Sequence, residues 1–269
     1  MTPFAIHFGF EFRSGVRNAS AMLLLYLFPL GFYAMMGLVM VEINPDFTDS
    51  MIPALVIVTA MAGTVLGLPA QLVEAREAGI YRSFKINGVG SDSILLIPML
   101  ATAVHVMLAS LVIASTAGPL FGGAAPIDWV AFGGTLIVTV FAFGAIAALI
   151  GVISANTRAT VLWSQLVFLP SMLIGGLMVD LSLLPESVLP AAKLLPSTYA
   201  MQAFLGTSFE SKTVIHPSSS ILVLVAGGLV AAILARLLFA WDPRSQTRAY
   251  PAWLAILALA PFAIAAILV

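Results

Sequence analysis

Residues 94–117, ILLIPMLATAVHVMLASLVIASTA, form a run of 24 residues without a charged side chain. A helix of about 20 apolar residues is long enough to cross the hydrocarbon core of a bilayer. Six further stretches have a similar character, at 20–41, 51–72, 128–153, 160–179, 219–240 and 251–269. Because all of them are continuously apolar rather than alternating at every second residue, they predict membrane-spanning helices and not the strands of a barrel.

The composition of the whole chain agrees with this interpretation. Of its 269 residues, 61% are hydrophobic and only 9% are charged, whereas an ordinary soluble domain carries about 25% charged residues. The net charge of −1 gives no reason to expect nucleic acid as a partner, and the lack of cysteine excludes disulfides and thiolate metal sites. His7, His105 and His216 lie too far apart in the sequence to suggest a metal centre. The sequence therefore predicts an all-α polytopic membrane protein.

The lysine and arginine residues indicate how the spans are oriented. If the N-terminus is cytoplasmic, nine of the eleven basic residues fall on the inner side, as the positive-inside rule requires. These nine are Arg13, Arg17, Arg76, Arg82, Lys85, Arg158, Arg236, Arg244 and Arg248. Only Lys193 and Lys212 fall on the outer side. We therefore predict a six-helix transmembrane bundle in the cell membrane, while residues 251–269, interrupted by Pro261, either cross as well or lie half-buried against the bundle.

The predicted spans lack the groups that active transport and catalysis require. No acidic residue lies deep within a span, so coupling to an ion gradient has little support. The chain has no G-x-x-x-x-G-K-[ST] phosphate loop and cannot hydrolyse nucleotide itself. Serines in the spans have no base beside them in the sequence, so we expect no catalytic site. For His105, in mid-membrane, a hydrogen bond between helices or a pore-facing position is a simpler interpretation than a proton relay.

Residues 1–18 precede the first span and predict an amphipathic helix. At about 100° per residue, its polar side chains fall within one narrow arc: His7, Glu11, Ser14 and Asn18. The aromatic residues of the apolar arc and the basic residues that flank it are Phe4, Phe8, Phe12, Arg13 and Arg17. Such a helix lies in the inner membrane interface, with its apolar arc in lipid and its guanidinium groups at the phosphates. The alternative is an apolar leader that extends the first span.

The stretch after the second span, residues 71–90, reads QLVEAREAGIYRSFKINGVG. Gly79 permits a sharp change of direction, a short amphipathic helix is predicted for residues 80–86, and Asn87-Gly88 then turns the chain. Aromatic groups beside charged ones indicate a docking surface, although the aromatic residues could instead rest on the membrane interface. The residues that we expect at this surface, within residues 74–90, are Glu74, Arg76, Glu77, Gly79, Tyr81, Arg82, Phe84 and Lys85.

A second unusual stretch lies between the fifth and sixth predicted spans. Residues 181–205 are too apolar for a solvated loop and contain Pro185, Pro190 and Pro196. We expect short re-entrant helices that fold back into the outer leaflet, because non-spanning backbone is tolerated at that depth only when protein buries it or when it lines a cavity. The alternative is a helical cap that merely stabilises the bundle.

Three of these features together resemble the type 2 membrane domain of ABC transporters, the permease subunits of many bacterial and archaeal exporters. The first is the interfacial helix, the second is the Glu-x-Arg-Glu-x-Gly run at residues 74–79, and the third is the phrase LPSTYA at residues 195–200. The resemblance covers about residues 1–240. The chain departs from the family at Asn87-Gly88, where proline is frequent, and in the segment after Asp242, which exceeds the usual six spans.

The resemblance implies a division of the chain and a role for each part. Residues 1–18 would be the interfacial helix, 19–240 a six-span permease domain and 241–269 an extra C-terminal hydrophobic helix. Residues 74–90 would be a coupling helix that docks on separate ABC ATPase subunits. Those subunits would bind ATP and magnesium, so that this chain itself holds no cofactor. The outer segment would form part of an outer gate through Pro185, Pro196, Thr198 and Tyr199.

The partners implied are the ATPase subunits, the lipid bilayer, and a second copy of the chain or a sister permease, because six spans cannot easily enclose a path alone. The almost wholly apolar spans favour a lipid-like or amphipathic cargo over a small ion. The main alternative is an ATP-independent secondary transporter or channel. A membrane scaffold that transports nothing and a membrane enzyme are further alternatives.

Overall fold

Helices form every regular element in the computed structural model of the chain, which describes residues 3–241 and 250–268. In chain order the longer ones are α1 Pro3–Arg17, α2 Ala19–Ile43, α3 Phe47–Glu77, α4 Ile80–Ile86, α5 Ser91–Phe121, α6 Trp129–Ile153, α7 Thr157–Ile174, α8 Pro196–Ser208, α9 Pro217–Leu238 and α10 Ala252–Leu268. Two single-turn helices, Leu181–Leu183 and Leu189–Ala192, lie between α7 and α8. Five of them, α2, α3, α5, α6 and α9, are long and apolar enough to cross a membrane. The prediction of an all-helical, polytopic membrane protein is confirmed.

The fifth predicted span, residues 160–179, is a shorter helix than expected. α7 begins after Asn156, whose side chain accepts a hydrogen bond from the Ala159 amide, and it ends at Ile174 after 18 residues. Gly175 and Gly176 follow, and Gly176 adopts a left-handed φ of +83° that does not continue a helix. α7 is therefore not among the five longest apolar helices, and the number of six spans stays a prediction.

The C-terminal segment forms α10, which changes its helical type along its length. Ala252–Leu259 is a 3₁₀-helix and Ala260–Leu268 is an α-helix. Since a 3₁₀-helix rises about 2.0 Å per residue, the 17 residues extend over about 30 Å. α10 packs along α9. Arg244 and Arg248, predicted to be cytoplasmic, lie outside the described residues, so their placement stays a prediction.

α3 occupies the centre of the bundle. Its most apolar stretch is 94% buried, against 28% for α2 and 39% for α9. It packs against α2, α5, α6 and α8. The surrounding helices expose large apolar side chains, among them Leu27, Leu38, Leu162 and Leu222. Exposed leucines on several helices indicate a surface that faces lipid, because so much apolar surface is costly in water.

The outer segment contains one interior helix and one exposed turn. Residues 196–205 of α8 are all buried, and α8 packs against α3, α6 and α9. This part agrees with the expectation that the segment is not a solvated loop. The preceding residues 182–187 differ, because most of them are exposed and Leu183 is 75% exposed. The exclusion of a solvated loop therefore holds for α8 but not for the turn before it, and the re-entrant position of α8 in the outer leaflet stays a prediction.

Candidate functional site

Residues 74–90 adopt the predicted sequence of turn, helix and turn. α3 ends at Glu77, Gly79 follows with a φ of +75°, and α4 occupies the seven residues Ile80–Ile86. Gly88 has a φ of +76° before α5 begins. Because other residues rarely adopt such positive values of φ, the two glycines set the changes of direction at both ends of α4.

The side chains of this segment divide into an exposed and a buried set. The charged residues Glu74, Glu77, Arg82 and Lys85 are exposed, as predicted. Arg76 and Tyr81 are buried, and Phe84 is half-buried. Ile86, at the end of α4, is 85% exposed. It is one of the apolar residues beside charged ones that indicated a docking surface, although it was not among the individual residues predicted to couple to a partner. We call Glu77, Arg82, Lys85 and Ile86 the hairpin face.

Arg76 lies in a different place from the one predicted. Its side chain is 4% exposed, Nη1 donates to the Val152 carbonyl at 3.1 Å, and Nη2 donates to the Ser154 carbonyl. Both carbonyls lie at the C-terminal end of α6, where the last carbonyls have no partner within the helix and carry partial negative charge. Arg76 therefore links α3 to α6. This position corrects the prediction that it forms part of the docking surface.

Tyr81 and Lys85 join α4 to the end of α9. The Tyr81 ring lies 5.7 Å from the Phe239 ring, which lies 5.3 Å from the Trp241 ring. Lys85 Nζ lies 5.7 Å from the centroid of the Trp241 ring, within the range of a cation–π contact. Burial raises the pKa of the Tyr81 hydroxyl, which therefore stays protonated. Tyr81 thus packs within the chain and is not exposed at the predicted docking surface.

α1 contacts the bundle with a face that the sequence did not identify. Phe12 stacks on His105 with 4.2 Å between ring centroids, and His7 lies 5.2 Å from the Phe84 ring of α4. Phe8 lines an apolar cavity together with residues of α5 and α6. The exposed residues of α1 include Phe4, Ile6, Phe10, Arg13 and Arg17. Phe8 and Phe12, predicted to face lipid, pack against protein instead, because a helical wheel separates the faces without showing which one meets a neighbour.

His105 connects three helices. It is 2% exposed, its Nδ1 lies 2.6 Å from the Tyr26 hydroxyl of α2, and its Nε2 lies 3.0 Å from the Phe12 carbonyl of α1. A carbonyl oxygen can only accept, so an imidazole protonated on Nε2 satisfies both contacts, donating to Phe12 and accepting from Tyr26. This arrangement matches the first of the two sequence interpretations, a hydrogen bond between helices.

Replacing His105 with leucine is expected to lower the free energy of unfolding by about 1–3 kcal/mol, because the Tyr26 hydroxyl loses its buried partner. Tyr26→Phe should lower the free energy of unfolding by about 1 kcal/mol in the wild-type background, and by less in the His105→Leu background. Unfolding of the purified protein in detergent measures both. Ser115→Ala, at an exposed position of the same helix, is the control. A stability equal to the wild type in His105→Leu would show that these bonds contribute nothing.

Three of the predicted outer-gate residues lie together at the start of α8. All three are buried: Pro196, Thr198 and Tyr199. Thr198 Oγ1 donates to the Ala192 carbonyl at 2.6 Å, and the Tyr199 hydroxyl donates to the Lys193 carbonyl at 2.8 Å. These bonds hold the preceding turn against α8. Pro185 is exposed and does not join them.

The long apolar helices, the exposed leucines and the helical hairpin between α3 and α5 define a multi-pass membrane domain. The family model described as ABC-2 type transporter matches residues 4–209, which is more than half of the chain. The chain therefore belongs to the ABC-2 type transporter family of permease membrane domains. The match includes α1 to α8, while α9 and α10 lie beyond it. Among curated proteins, no match is found.

Proposed function

We propose that this chain is the permease subunit of an ATP-driven exporter and that it couples to separate ATPase subunits through the hairpin face. The observation that carries the proposal is the arrangement of α4 and the end of α3. Their charged residues Glu77, Arg82 and Lys85 are exposed. Tyr81 packs α4 on Phe239 after α9, and Arg76 at the end of α3 bonds the end of α6. A partner that binds the exposed side can therefore displace two long apolar helices. The ATPase subunits would bind ATP and magnesium, and this chain would hold neither.

Displacement of residues 74–90 would act on α6 through Arg76 and on α9 through Tyr81. The guanidinium of Arg76 bonds carbonyls at the end of α6, and the Tyr81 ring packs on Phe239 just after α9. α6 and α9 also pack against each other along their lengths. Closure of an ATPase pair would thus tilt the two helices together, since packed helices move as rigid bodies rather than deforming continuously. A second copy of the chain or a sister permease would complete the path.

The proposal places the N-terminus and residues 74–90 on the cytoplasmic side of the plasma membrane. α7 would then cross as the fifth span, and residues 19–240 would form the six-span permease domain. α1, within residues 1–18, would lie in the inner interface. Its exposed apolar residues would contact lipid, and Arg13 and Arg17 would reach the phosphates.

The outer side of the bundle would contain the gate and one end of α10. α8 would be the re-entrant element at outer-leaflet depth, where protein on three sides buries its backbone. The Thr198 and Tyr199 bonds to the preceding turn would hold the gate in its closed form. Residues 241–269 would form an additional segment, of which α10 packs on α9.

Altering the hairpin face tests the proposal. In the Arg82→Glu/Ile86→Asp double variant, we expect at least about tenfold less ATPase to co-purify with the chain from native membranes, because lost central contacts of an interface cost more than about 1.4 kcal/mol. ATP hydrolysis per permease should fall in parallel. The free energy of unfolding of the double variant, measured beside that of the wild type, separates lost ATPase binding from lost folding.

Lys212→Glu is the matched control, because Lys212 is equally exposed but lies on the predicted outer side. It should retain the co-purified ATPase. Unchanged ATPase binding in the double variant would contradict the proposed docking surface. If the wild-type chain carries no ATPase out of native membranes and transports alone in liposomes, it is an ATP-independent transporter or channel.

A further inference from the structure

A crevice of 360 Å³ lies between α1 and residues 74–90. Its charged and polar lining consists of His7, Glu11, Ser14, Asn18, Gln71, Glu74 and Tyr81. Among the described residues that line it there are two carboxyl groups and one imidazole, but no lysine or arginine. The nearby guanidinium of Arg76 bonds the carbonyls of Val152 and Ser154. The crevice therefore has an acidic lining without a strong basic group.

Glu11 is the more buried of the two carboxyl groups, with 24% of its side chain exposed. Burial raises the pKa of Glu11, and His7 opposes this effect. His7 Nε2 lies 3.5 Å from Glu11 Oε1, which is long for a hydrogen bond. A partly desolvated carboxylate with so weak a partner is stabilised by a further cation. Glu74 is exposed and lies across the crevice, on α3.

Tyr81 provides an independent sign of a ligand. Its side chain is 4% exposed, and its hydroxyl is buried without a hydrogen-bond partner among the described residues. Native proteins rarely leave such a group unsatisfied, because a buried hydroxyl without a partner costs about 1–3 kcal/mol. Since Tyr81 lines the crevice, a ligand that shifts its ring on binding can donate an N–H to the hydroxyl oxygen.

The remaining lining is apolar and aromatic. Phe10 comes from α1, Ile80 and Phe84 from α4, and Ile94 and Pro98 from α5. Aromatic faces attract cations, and the aliphatic side chains accommodate an apolar tail. We propose that the crevice binds an amphipathic ligand with a primary ammonium group. Glu11 and Glu74 pair with the charge, the Tyr81 hydroxyl accepts an N–H, and the rings of Phe10 and Phe84 contact the tail.

Dansylcadaverine, which combines a primary ammonium with an apolar fluorophore, is a suitable probe for the full-length chain in phosphatidylcholine nanodiscs. Its fluorescence on binding gives a Kd for each variant. Because a bond to a partly buried carboxylate is strong, Glu11→Gln should raise the Kd at least about tenfold. Glu74 is exposed and its ion pair is screened by solvent, so Glu74→Gln should raise the Kd about three- to fivefold. Tyr81→Phe should raise it less. Glu42→Gln, an exposed carboxyl on α2 outside the crevice, should leave the Kd within about twofold.

The N-acetylated probe, which has no charge, should not bind. Equal binding of the acetylated probe, or an unchanged Kd in both Glu11→Gln and Glu74→Gln, would overturn the proposal. Glu74 is exposed, so its variant keeps the test valid even if Glu11→Gln fails to fold.

Phosphatidylethanolamine added to the nanodiscs distinguishes the sources of the ammonium. Competition with the probe identifies a membrane aminolipid as the ligand, and lack of competition identifies a free cationic amphiphile. Since the purified chain is used alone, the outcome is independent of ATPase coupling.

Discussion

Replacing Arg76 with alanine is expected to lower the free energy of unfolding by about 3 kcal/mol. The variant removes the buried guanidinium that bonds Val152 and Ser154, so that the carbonyls at the end of α6 lose their partners. Because the same contact links α3 to α6, the fraction of chain that still folds should also show weaker coupling to ATP hydrolysis. Denaturant unfolding in detergent and ATPase activity of the co-purified complex measure the two effects.

Arg158→Ala is the control for this prediction. Arg158 is an exposed arginine on α7, and its loss should change stability by less than about 0.5 kcal/mol. Arg76→Lys should be intermediate, because an ammonium keeps the charge but cannot present two parallel donors to two carbonyls. If Arg76→Ala were as stable as the wild type and only ATPase binding were lost, Arg76 would belong to the docking surface after all, as the sequence predicted.

The second large effect is expected where α10 meets α9. Phe262 is 1% exposed, lies against Gly227 and packs on the Tyr199 ring at 5.8 Å. Phe262→Ala should lower the free energy of unfolding by about 3–5 kcal/mol, because removal of the ring leaves a cavity. Gly227→Ala should cost about 1–3 kcal/mol, because a Cβ at this position would overlap the Phe262 ring. Thermal unfolding of the purified chain measures both losses.

The double variant distinguishes direct contact from independent effects. In the Phe262→Ala background, the added methyl of Gly227→Ala enters the vacated space and should cost nothing, which gives a coupling of at least about 1 kcal/mol. Gly134→Ala on α6 is the control, because a Cβ there meets nothing within 4 Å, and it should be neutral or slightly stabilising. Additive losses would show that α10 does not pack on α9 as the structure places it.

Features that depend on neighbouring residues could be predicted closely. α4 occupies residues 80–86 as expected, because the glycines on either side set the turns and the pattern between them is amphipathic. The helix of residues 1–18 was also predicted, but its orientation was not. Its polar residues His7 and Glu11 face the crevice beside α4, while Ile6 and Val16 are exposed. A sequence pattern shows that a helix has two faces, and only packing selects the one that contacts protein.

The sequence by itself determined that this is a multi-pass helical membrane protein, where its long helices lie, and where the hairpin of residues 74–90 turns. Hydropathy over about 20 residues and the backbone freedom of glycine are both local properties. The tertiary structure decided which charged residues are available to a partner. Arg76 is buried, and its guanidinium bonds carbonyls 76 and 78 residues away. The Tyr81 ring packs on Phe239. A local sequence pattern contains no information about partners so distant along the chain. The sequence alone therefore does not distinguish exposed from buried charged residues.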